Sequence, residues 1–533
     1  MTTVPVVDRL GQIYTDDAVP AQTTRWQHLL SVFKERHGKE ADLVARSPGR
    51  VNVIGEHIDY SLYSVLPMAI TGDCIIAVGV SDEAAIERSE DKKDKWTVEI
   101  SNVLPKFAAH TFEFDADDEV SIDASVHEWT NYFKSGLRGA LALLRKKRAA
   151  AGLSDLRPLS LQVVLDGTVP VGGGLSSSAA FTSCSALAVL AANDAEHRSQ
   201  IDKTELTELA IVSERSVGVN SGGMDQSASV FSERGSALFV SFTPTLTARP
   251  VFFPTATSPE TDNCFLIAQS FVAADKFVTG PIHYNLRVVE CTLAAAYLNA
   301  ALNPPTTKLP GDNGPLGISL HGFHETYFAL QEQGGVANTP RTPKAQLQTL
   351  LELVDSTLSK EEGYTREEIA SVLNVSVDSL NEQFMTTFPV RAERFKLRQR
   401  AQHVFGEALR VLEFMEVLDN AGHGDVATSE KLGALLNATQ DSCRSLYECS
   451  CPELDELCAI ARRAGSYGSR LTGAGWGGCS VHLVPANKVD AVRKAWDDEY
   501  YSKRPELTDE QRAAAVVLSR PGSGSAVFVG KSV

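Results

Sequence analysis

Arg50, Glu56, His57 and Asp59 stand within ten residues of one another. They lie in the stretch Ser47-Pro48-Gly49-Arg50-Val51-Asn52-Val53-Ile54-Gly55-Glu56-His57-Ile58-Asp59-Tyr60. Their neighbours are mostly apolar or small, so these charges are set into sequence suited to a core. Carboxylates and imidazole so spaced can grip the hydroxyls of a polyol. An ionised carboxylate accepts two hydroxyl hydrogen bonds in fixed geometry, and its charge strengthens both. Arg50 could neutralise a nearby acid or a phosphoryl group in transfer. A structural Arg–carboxylate network in a turn has the same composition, and spacing alone does not separate the two.

A second stretch, Val169-Pro170-Val171-Gly172-Gly173-Gly174-Leu175-Ser176-Ser177-Ser178-Ala179-Ala180, carries three glycines and then three serines. Before it, Leu161, Val163, Val164 and Leu165 suit a buried strand. After it, small and apolar residues run to Ala192, enough for about four helical turns. The pattern predicts strand, glycine loop, helix. Gly172, Gly173 and Gly174 lack the Cβ atoms that keep backbone N–H groups away from an anion. Ser176, Ser177 and Ser178 fall at the helix start, where free N–H groups and the dipole favour negative charge. A phosphate cradle fits this pattern, and so does a tight turn with serine caps. No G-x-x-x-x-G-K-[ST] and no protein-kinase H-R-D or D-F-G set occurs. The loop has no Lys of its own, so a divalent cation and helix N–H groups would have to meet phosphate charge.

Three further places carry candidate groups. Lys203 to Ser216 predicts a helix with Asp202 as N-cap and Glu205 three residues on. Its last turns hold Glu214 among apolar and small neighbours. In the next loop Asp225 follows Gly222 and Gly223, where it could be a helix cap or a base. Lys276, Tyr284 and Arg287 precede and open a helix running to about Leu298. Finally, Gly473, Gly475, Gly477 and Gly478 stand just before a strand, in Ser469 to Leu483. Backbone there can pass close to another backbone or to a ligand.

The elements that must position these groups follow from periodicity. Arg25 to Arg36 predicts an amphipathic helix with Trp26, Leu29, Leu30 and Phe33 on one face. Strands are expected from Ala41, over Leu66 to Val80, Trp96 to Ile100, Thr111 to Phe114, Phe239 to Phe253 and Cys264 to Ala268. Ser81 to Asp94 reads as a hairpin tip, Asp115 to Glu119 as a solvated acidic loop, and His127 to Ala149 as a helix. Asn303 to Leu347 is rich in Pro, Gly, Thr and Asn and predicts a long loop or insertion with a mobile middle. Lys344 to Leu418 reads as helical, with a break near Pro389. Helices over Lys431 to Leu446, Pro452 to Ala464 and Asn487 to Tyr500 follow, then a linker and a last strand over Ser525 to Val529.

A length of 533 residues suggests two or more domains, or two large lobes sharing a cleft. The formal net charge of −17 argues against nucleic acid as a main partner, because phosphate attraction needs a basic face. Arg145-Lys146-Lys147-Arg148 is a dense basic run, but it follows a helical pattern and reads as a solvated helix end. Met1 to Asp17 shows no signal pattern and no apolar run is long enough to span a membrane, so the expectation is a cytoplasmic protein with no membrane partner. Nine cysteines without framework spacing fit reduced thiols. Cys443, Cys449, Cys451 and Cys458 lack paired C-x₂-C units and read as buried or partly exposed thiols.

Taken together, the three glycine-bearing motifs resemble the small-molecule kinase superfamily of galactokinases, homoserine kinases, mevalonate kinases and phosphomevalonate kinases. The stretch Pro48 to Tyr60 is similar, nearly residue for residue, to the galactokinase signature. Gly172 to Ala180 resembles the superfamily's phosphate-binding motif and Leu471 to Cys479 its third motif. Tyr284-Asn285-Leu286-Arg287 resembles fungal galactokinases. The resemblance spans roughly Val44 to Pro485 and implies an α+β fold of two mixed α/β lobes with the active site between them. These would be a ribosomal-protein-S5-like lobe over 1–245 and a ferredoxin-like lobe over 246–533. The second lobe would carry a fungal insertion over about 303–388, and the last strand could return to the first.

The resemblance also implies roles. Arg50, Glu56, His57 and Asp59 would line a galactose pocket, completed by Ser221, Gly222, Asp225 and Tyr284. Ser221 stands where the fungal pattern has Asn, and its shorter hydroxyl would reach the sugar through water. Gly172, Gly173, Gly174, Ser176, Ser177 and Ser178 would wrap the phosphates of ATP, with Lys276 near the nucleotide. Ser178 and Glu214 would hold Mg²⁺. Asp225 would accept the proton of the sugar's C1 hydroxyl while Arg50 stabilises charge moving to the γ-phosphoryl group. Two other activities share these motifs. One is N-acetylgalactosamine kinase. The other is a galactose- and ATP-binding sensor that docks a transcriptional repressor. Sensor paralogues lack two residues of the Ser-Ser-Ser-Ala-Ala run that is whole here at Ser176 to Ala180, so a repressor is a partner only if the chain is bifunctional.

Overall fold

The computed structural model describes residues 2–530 apart from 82–94, 116–118, 124–125, 127, 154–155, 218–221, 273–278 and 336–339. A seven-stranded sheet carries the first chemical stretch. Its order is β1 (Val6–Val7), β13 (Ala526–Phe528), β2 (Leu43–Ile54), β3 (Leu66–Val80), β6 (Leu161–Gly167), β4 (Lys95–Asn102) and β5 (His110–Asp115). β2, β3 and β6 pair antiparallel, whereas β6 lies parallel to β4. All twelve residues of β2 are buried, which explains why a strand carrying Arg46, Ser47 and Arg50 reads as an apolar run interrupted by charge. The β2–β3 register shifts at Pro48/Arg50 and again at Asn52/Ile54. Bulges of this kind bend a strand and re-aim its side chains.

Against one face of the sheet lie α2 (Thr130–Ala150), α3 (Ser177–Asn193), α4 (Lys203–Arg215) and α5 (Met224–Phe231). α3 is buried from Ala179 to Ala192, Phe181 excepted, because its Ala, Ser and Cys residues let neighbours approach closely. A Cβ on Gly136 of α2 would stand only 2.8 Å from Ala186 N. The opposite face holds a separate core, in which α1 (Val19–His37) lays Trp26, Leu29 and Phe33 over Val44, Ile75, Ala77 and Phe528. Asp202 caps α4 as expected, accepting from Thr204 N and Glu205 N.

The hairpin of β7 (Ser236–Ser241) and β8 (Thr247–Phe252) leads into a four-stranded antiparallel sheet. Its order is β10 (Gly468–Thr472), β11 (Cys479–Pro485), β9 (Asn263–Gln269) and β12 (Val516–Ser519), the last lying where the sequence reads as linker. Leu266, Ala268 and Val484 pack on Leu457, Ile460 and Trp496 of two covering helices, while Phe265, Ile267 and Leu483 join the main core. The covering helices are α13 (Pro452–Ala464) and α14 (Val489–Glu499). The rest of this half is helical: α6 (Tyr284–Leu302), α7 (Leu320–Gln333), α8 (Pro343–Thr357), α9 (Arg366–Leu373), α10 (Val377–Met385), α11 (Leu397–Asn420) and α12 (Val426–Ser442). Among the described residues no helix is long and apolar enough to cross a membrane.

The reading of Asn303 to Leu347 as one long loop with a mobile middle is corrected. Among the described residues, irregular backbone covers 303–319 and then 334–335 and 340–342. Ser319 then caps α7 by accepting from Gly322 N, and Leu320, Phe323 and Phe328 are buried at helical spacing. The hairpin tip expected over Ser81 to Asp94 and the centre of the Asp115 to Glu119 loop fall outside the described residues.

A buried charge cluster ties the sheet together. Asp73 on β3 is fully buried and accepts from Tyr14 Oη at 2.6 Å, Arg46 Nε at 2.6 Å and Arg25 Nη1 at 2.5 Å. Burial would raise its carboxyl, but Arg25 and Arg46 outweigh burial and hold it below its ordinary value. Arg46 Nη1 also donates to Ser523 O and Gly524 O, fixing the returning chain beside β2. Asp73→Ala leaves two buried guanidinium groups without their shared anion. It is expected to cost about 3–5 kcal/mol of stability, read as a lowered urea midpoint.

Candidate active site

The first stretch leaves β2 through a left-handed turn. Gly55 has φ 105°, and His57, a residue with a Cβ, has φ 59°. Such a conformation persists only where the surroundings over-determine it. His57 is 3% exposed. Its Nε2 lies 3.0 Å from Ala474 O, which can only accept, so Nε2 carries a proton, and Nδ1 lies 3.1 Å from Tyr60 Oη. The rings of Tyr447, Tyr284 and Trp476 surround the imidazole with centroids 4.8, 5.9 and 5.9 Å away. Glu56 Oε2 is bonded to Arg470 Nη2 and accepts from Gly473 N at 3.0 Å. Arg470 is wholly buried and also donates to Asn52 O and Val53 O. One oxygen of Glu56 is therefore spent on structure.

Asp59 is buried 7% exposed, and its carboxyl is raised to about 6, first by burial and then by the charge of Asp225. Gly222 packs on it: a Cβ there would stand 2.8 Å from Tyr60 N and overlap Asp59 Oδ2. Asp225 is the second residue of α5, whose N-cap is Gly223, so it is not the cap that its position also allowed. Arg50 Nε and Nη2 donate to the same Asp225 oxygen, Oδ1, at 2.7 and 2.6 Å. Arg50 Nη1 donates to Gly174 O at 2.6 Å. Oδ2 has no hydrogen-bond partner among the described residues. Tyr284 opens α6 beside the cleft. Its hydroxyl is held above its ordinary pKa by burial and by Asp59, Asp225, Glu56 and Glu214, so it stays a donor.

The glycine loop and the third motif interlock backbone to backbone. A Cβ on Gly174 would stand 2.8 Å from Thr472 O, one on Gly478 3.0 Å from Gly173 C, and one on Gly473 would overlap Gly174 O. A Cβ on Gly49 of the first stretch would stand 2.7 Å from Leu175 O. Three segments far apart in sequence thus meet with no side chain between them. Gly172 is different, since nothing lies within 4 Å of its Cβ position. Ser176 caps α3 in the left-handed region at φ 59°, and its Oγ is buried without a partner among the described residues. Ser177 and Ser178 begin α3. Glu214 is 1% exposed, and its Oε2 accepts from Gln226 Nε2. A buried carboxylate and helix-end hydroxyls are hard oxygen donors of the kind Mg²⁺ takes together with substrate phosphates.

Arg50, Glu56, His57, Asp59, Gly222, Asp225 and Tyr284 therefore cluster in one place, with Gly174 joined to them through Arg50. Ser221 and Lys276 lie outside the described residues. Arg287 is spent on structure, donating to Tyr447 O and Glu448 O. Sequence reasoning did not single out Arg470, Tyr447, His403 or Glu407. The last two sit in the middle of α11, where no motif marks them. The signal available was their spacing: Arg400, His403 and Glu407 fall on the same helical face as Val404, Ala408 and Val411, all buried. Gly473→Ala would have to push the glycine loop away from Thr472 and adopt φ 81° with a side chain. It is expected to cost about 2–4 kcal/mol, seen in chemical denaturation.

The family model for the galactokinase galactose-binding signature matches residues 31–80. Models for the N-terminal and C-terminal domains of GHMP kinases match residues 131–233 and 424–503. A galactokinase of Saccharomyces cerevisiae is 42% identical over 94% of this chain and 94% of its own. One of Schizosaccharomyces pombe is 38% identical over 99% of both. A galactokinase of Lactococcus lactis, solved in complex with galactose, superposes with a TM-score of 0.59 at 23% identity, covering 94% of this chain and 99% of that one. That likeness concerns the fold. With 42% and 38% identity to two fungal galactokinases over nearly the whole chain, and the galactose-binding signature in place, the chain belongs to the galactokinase family.

Proposed function

We propose that this protein transfers the γ-phosphoryl group of ATP to the C1 hydroxyl of α-D-galactose, giving ADP and galactose 1-phosphate. The observation that carries the reading is the double use of Arg50. One guanidinium grips Asp225 Oδ1 and, through Nη1, the carbonyl of Gly174 in the glycine loop. The carboxylate beside the sugar and the loop around the phosphates are thereby held in one frame.

In this reading Asp59, His57, Gly222, Ser221, Tyr284 and the free oxygen of Glu56 meet the sugar hydroxyls. Asp225 Oδ2 faces the C1 hydroxyl and takes its proton as the C1 oxygen bonds to the γ-phosphorus and the bond to the β-phosphate oxygen breaks. Arg50 stabilises the charge that moves across the transferring group. Phosphoryl transfer is loose, so an Asp that orients the hydroxyl suffices where positioning supplies most of the acceleration. Gly172, Gly173, Gly174 and Ser176 to Ser178 cradle the phosphates, with Lys276 nearby. Ser178 and Glu214 would hold Mg²⁺, which when bound neutralises phosphate charge. The whole Ser176 to Ala180 run supports turnover rather than a sensor without catalysis.

A coupled ADP-release assay with galactose, N-acetylgalactosamine and glucose, with and without Mg²⁺, tests the reading. Glucose should be poor, because a wrong epimer leaves buried polar groups unpaired. Asp225→Ala should lower kcat by about 10²–10⁴-fold with little change in ATP affinity. Near-normal turnover in that variant would reject the assignment. Asp59 must be ionised to accept two hydroxyl bonds, and its carboxyl is raised to about 6. Galactose kcat/KM should therefore fall as pH drops through about 6, and the fall should vanish from the profile of Asp59→Asn.

A further inference from the structure

The turn that carries Glu56, His57 and Asp59 is gripped from α11 on three backbone atoms. Glu407 Oε1 accepts from Gly55 N at 2.8 Å and from Glu56 N at 3.1 Å. His403, one helical turn earlier, has Nε2 2.9 Å from Glu56 O, which can only accept, so Nε2 donates. Its Nδ1 then accepts from Ser442 Oγ at 2.9 Å. The remaining Glu407 oxygen, Oε2, accepts from Arg410 Nε at 2.8 Å and Thr439 Oγ1 at 2.9 Å. Both residues are fully buried. The Tyr447 ring lies between two imidazoles, 4.3 Å from His403 and 4.8 Å from His57. The same helix thus holds the peptide through hydrogen bonds and meets the His57 side chain through the tilted Tyr447 ring.

The gripped peptide is the strained one, since Gly55 and His57, on either side of Glu56, both hold positive φ. A left-handed residue with a Cβ relaxes to an extended or helical form unless its neighbours prevent it. That relaxation would swing His57 and Asp59 out of the cleft. A fully desolvated carboxylate is a poor choice for stability alone, since apolar packing of equal volume does as well or better. Here all four of its bonds are satisfied, and two of them end on the strained peptide. Burial would raise the Glu407 carboxyl, but the charges of Arg410 and, less strongly, Arg470 outweigh it and hold it at about 2, whereas burial pushes the His403 imidazole down to about 3. The acceptor is therefore ionised and the donor neutral, as the bond directions require.

We propose that Glu407 and His403 are positioning residues of the galactose site, fixing the Gly55–Glu56 peptide so that Glu56, His57 and Asp59 present one geometry to the sugar. The proposal rests on the reading that this turn meets galactose. Two readouts test it in the full chain: separate KM values for galactose and ATP, and amide hydrogen exchange of the segment holding Gly55 and Glu56. Glu407→Gln should raise galactose KM by about tenfold, leave ATP KM within about twofold, and erode the preference for galactose over glucose. Exchange in that segment should quicken while exchange in α3 stays unchanged. His403→Leu should act in the same direction, and His403→Gln, which keeps a donor near Glu56 O, should recover much of the loss. If Glu407→Gln does not fold, Thr439→Val removes one bond to the carboxylate and should move both readouts the same way by about threefold. Unchanged galactose KM, a parallel rise in both KM values, or faster exchange throughout the chain would overturn the proposal. Asp59→Asn separates the two ideas. If it weakens galactose binding while Glu407→Gln does not, the grip alone fails. If neither does, the sugar-loop reading fails and takes the grip with it.

Discussion

The backbones of Gly174 and Gly473 approach more closely than any side chain would allow, and much of the active-site architecture depends on that contact. It joins the glycine loop, which follows a strand of the first sheet, to the third motif, which follows a strand of the second. Gly49 meets Leu175 on the other side of the loop. Glycine usually signals freedom, yet at these positions it serves the reverse end. Removing the Cβ atoms lets peptide planes lock against one another, and interiors packed to crystal density resist small shifts. Of the loop glycines, Gly172 alone has open space at its Cβ position and is free to meet a ligand.

Around this junction the protein buries many charges, nearly all of them tied to backbone. Arg470 binds Glu56 and two carbonyls of β2, Glu407 binds two amides, and Arg50 binds Asp225 and a carbonyl. Charges placed this way cost desolvation energy and return directionality. A hydrogen bond from an ion to a peptide group fixes orientation in a way that apolar packing does not. Asp59 differs in its balance: burial and the like charge of Asp225 raise its carboxyl in spite of a backbone bond from Tyr60.

Much of this was legible in the sequence because it is local. The three motifs, the cap at Asp202, the buried strands and the final strand all rest on patterns a few residues long. α7 was hidden because the Pro- and Gly-rich stretch of 304–317 dominates the composition of its neighbourhood, although Ser319 and the Leu320, Phe323 and Phe328 spacing were present to be read. β12 is only four residues long and pairs with β9 across some 250 positions, so no nearby pattern announces it. Glu407 and His403 were hidden for a different reason. Their meaning lies in the atoms they touch about 350 residues away, and a charged residue in mid-helix is most often a solvated one.

β13 lies between β1 and β2, and Arg46 on β2 is fastened to Ser523 and Gly524, 477 and 478 positions later. The strand bearing the first motif therefore keeps an open edge while almost the whole chain is being synthesised. During that interval β2 presents unpaired amides and carbonyls, a template for wrong pairings. Contacts of such long sequence separation form late and slowly. The sheet that opens the chain is thus among the last parts of the molecule to close.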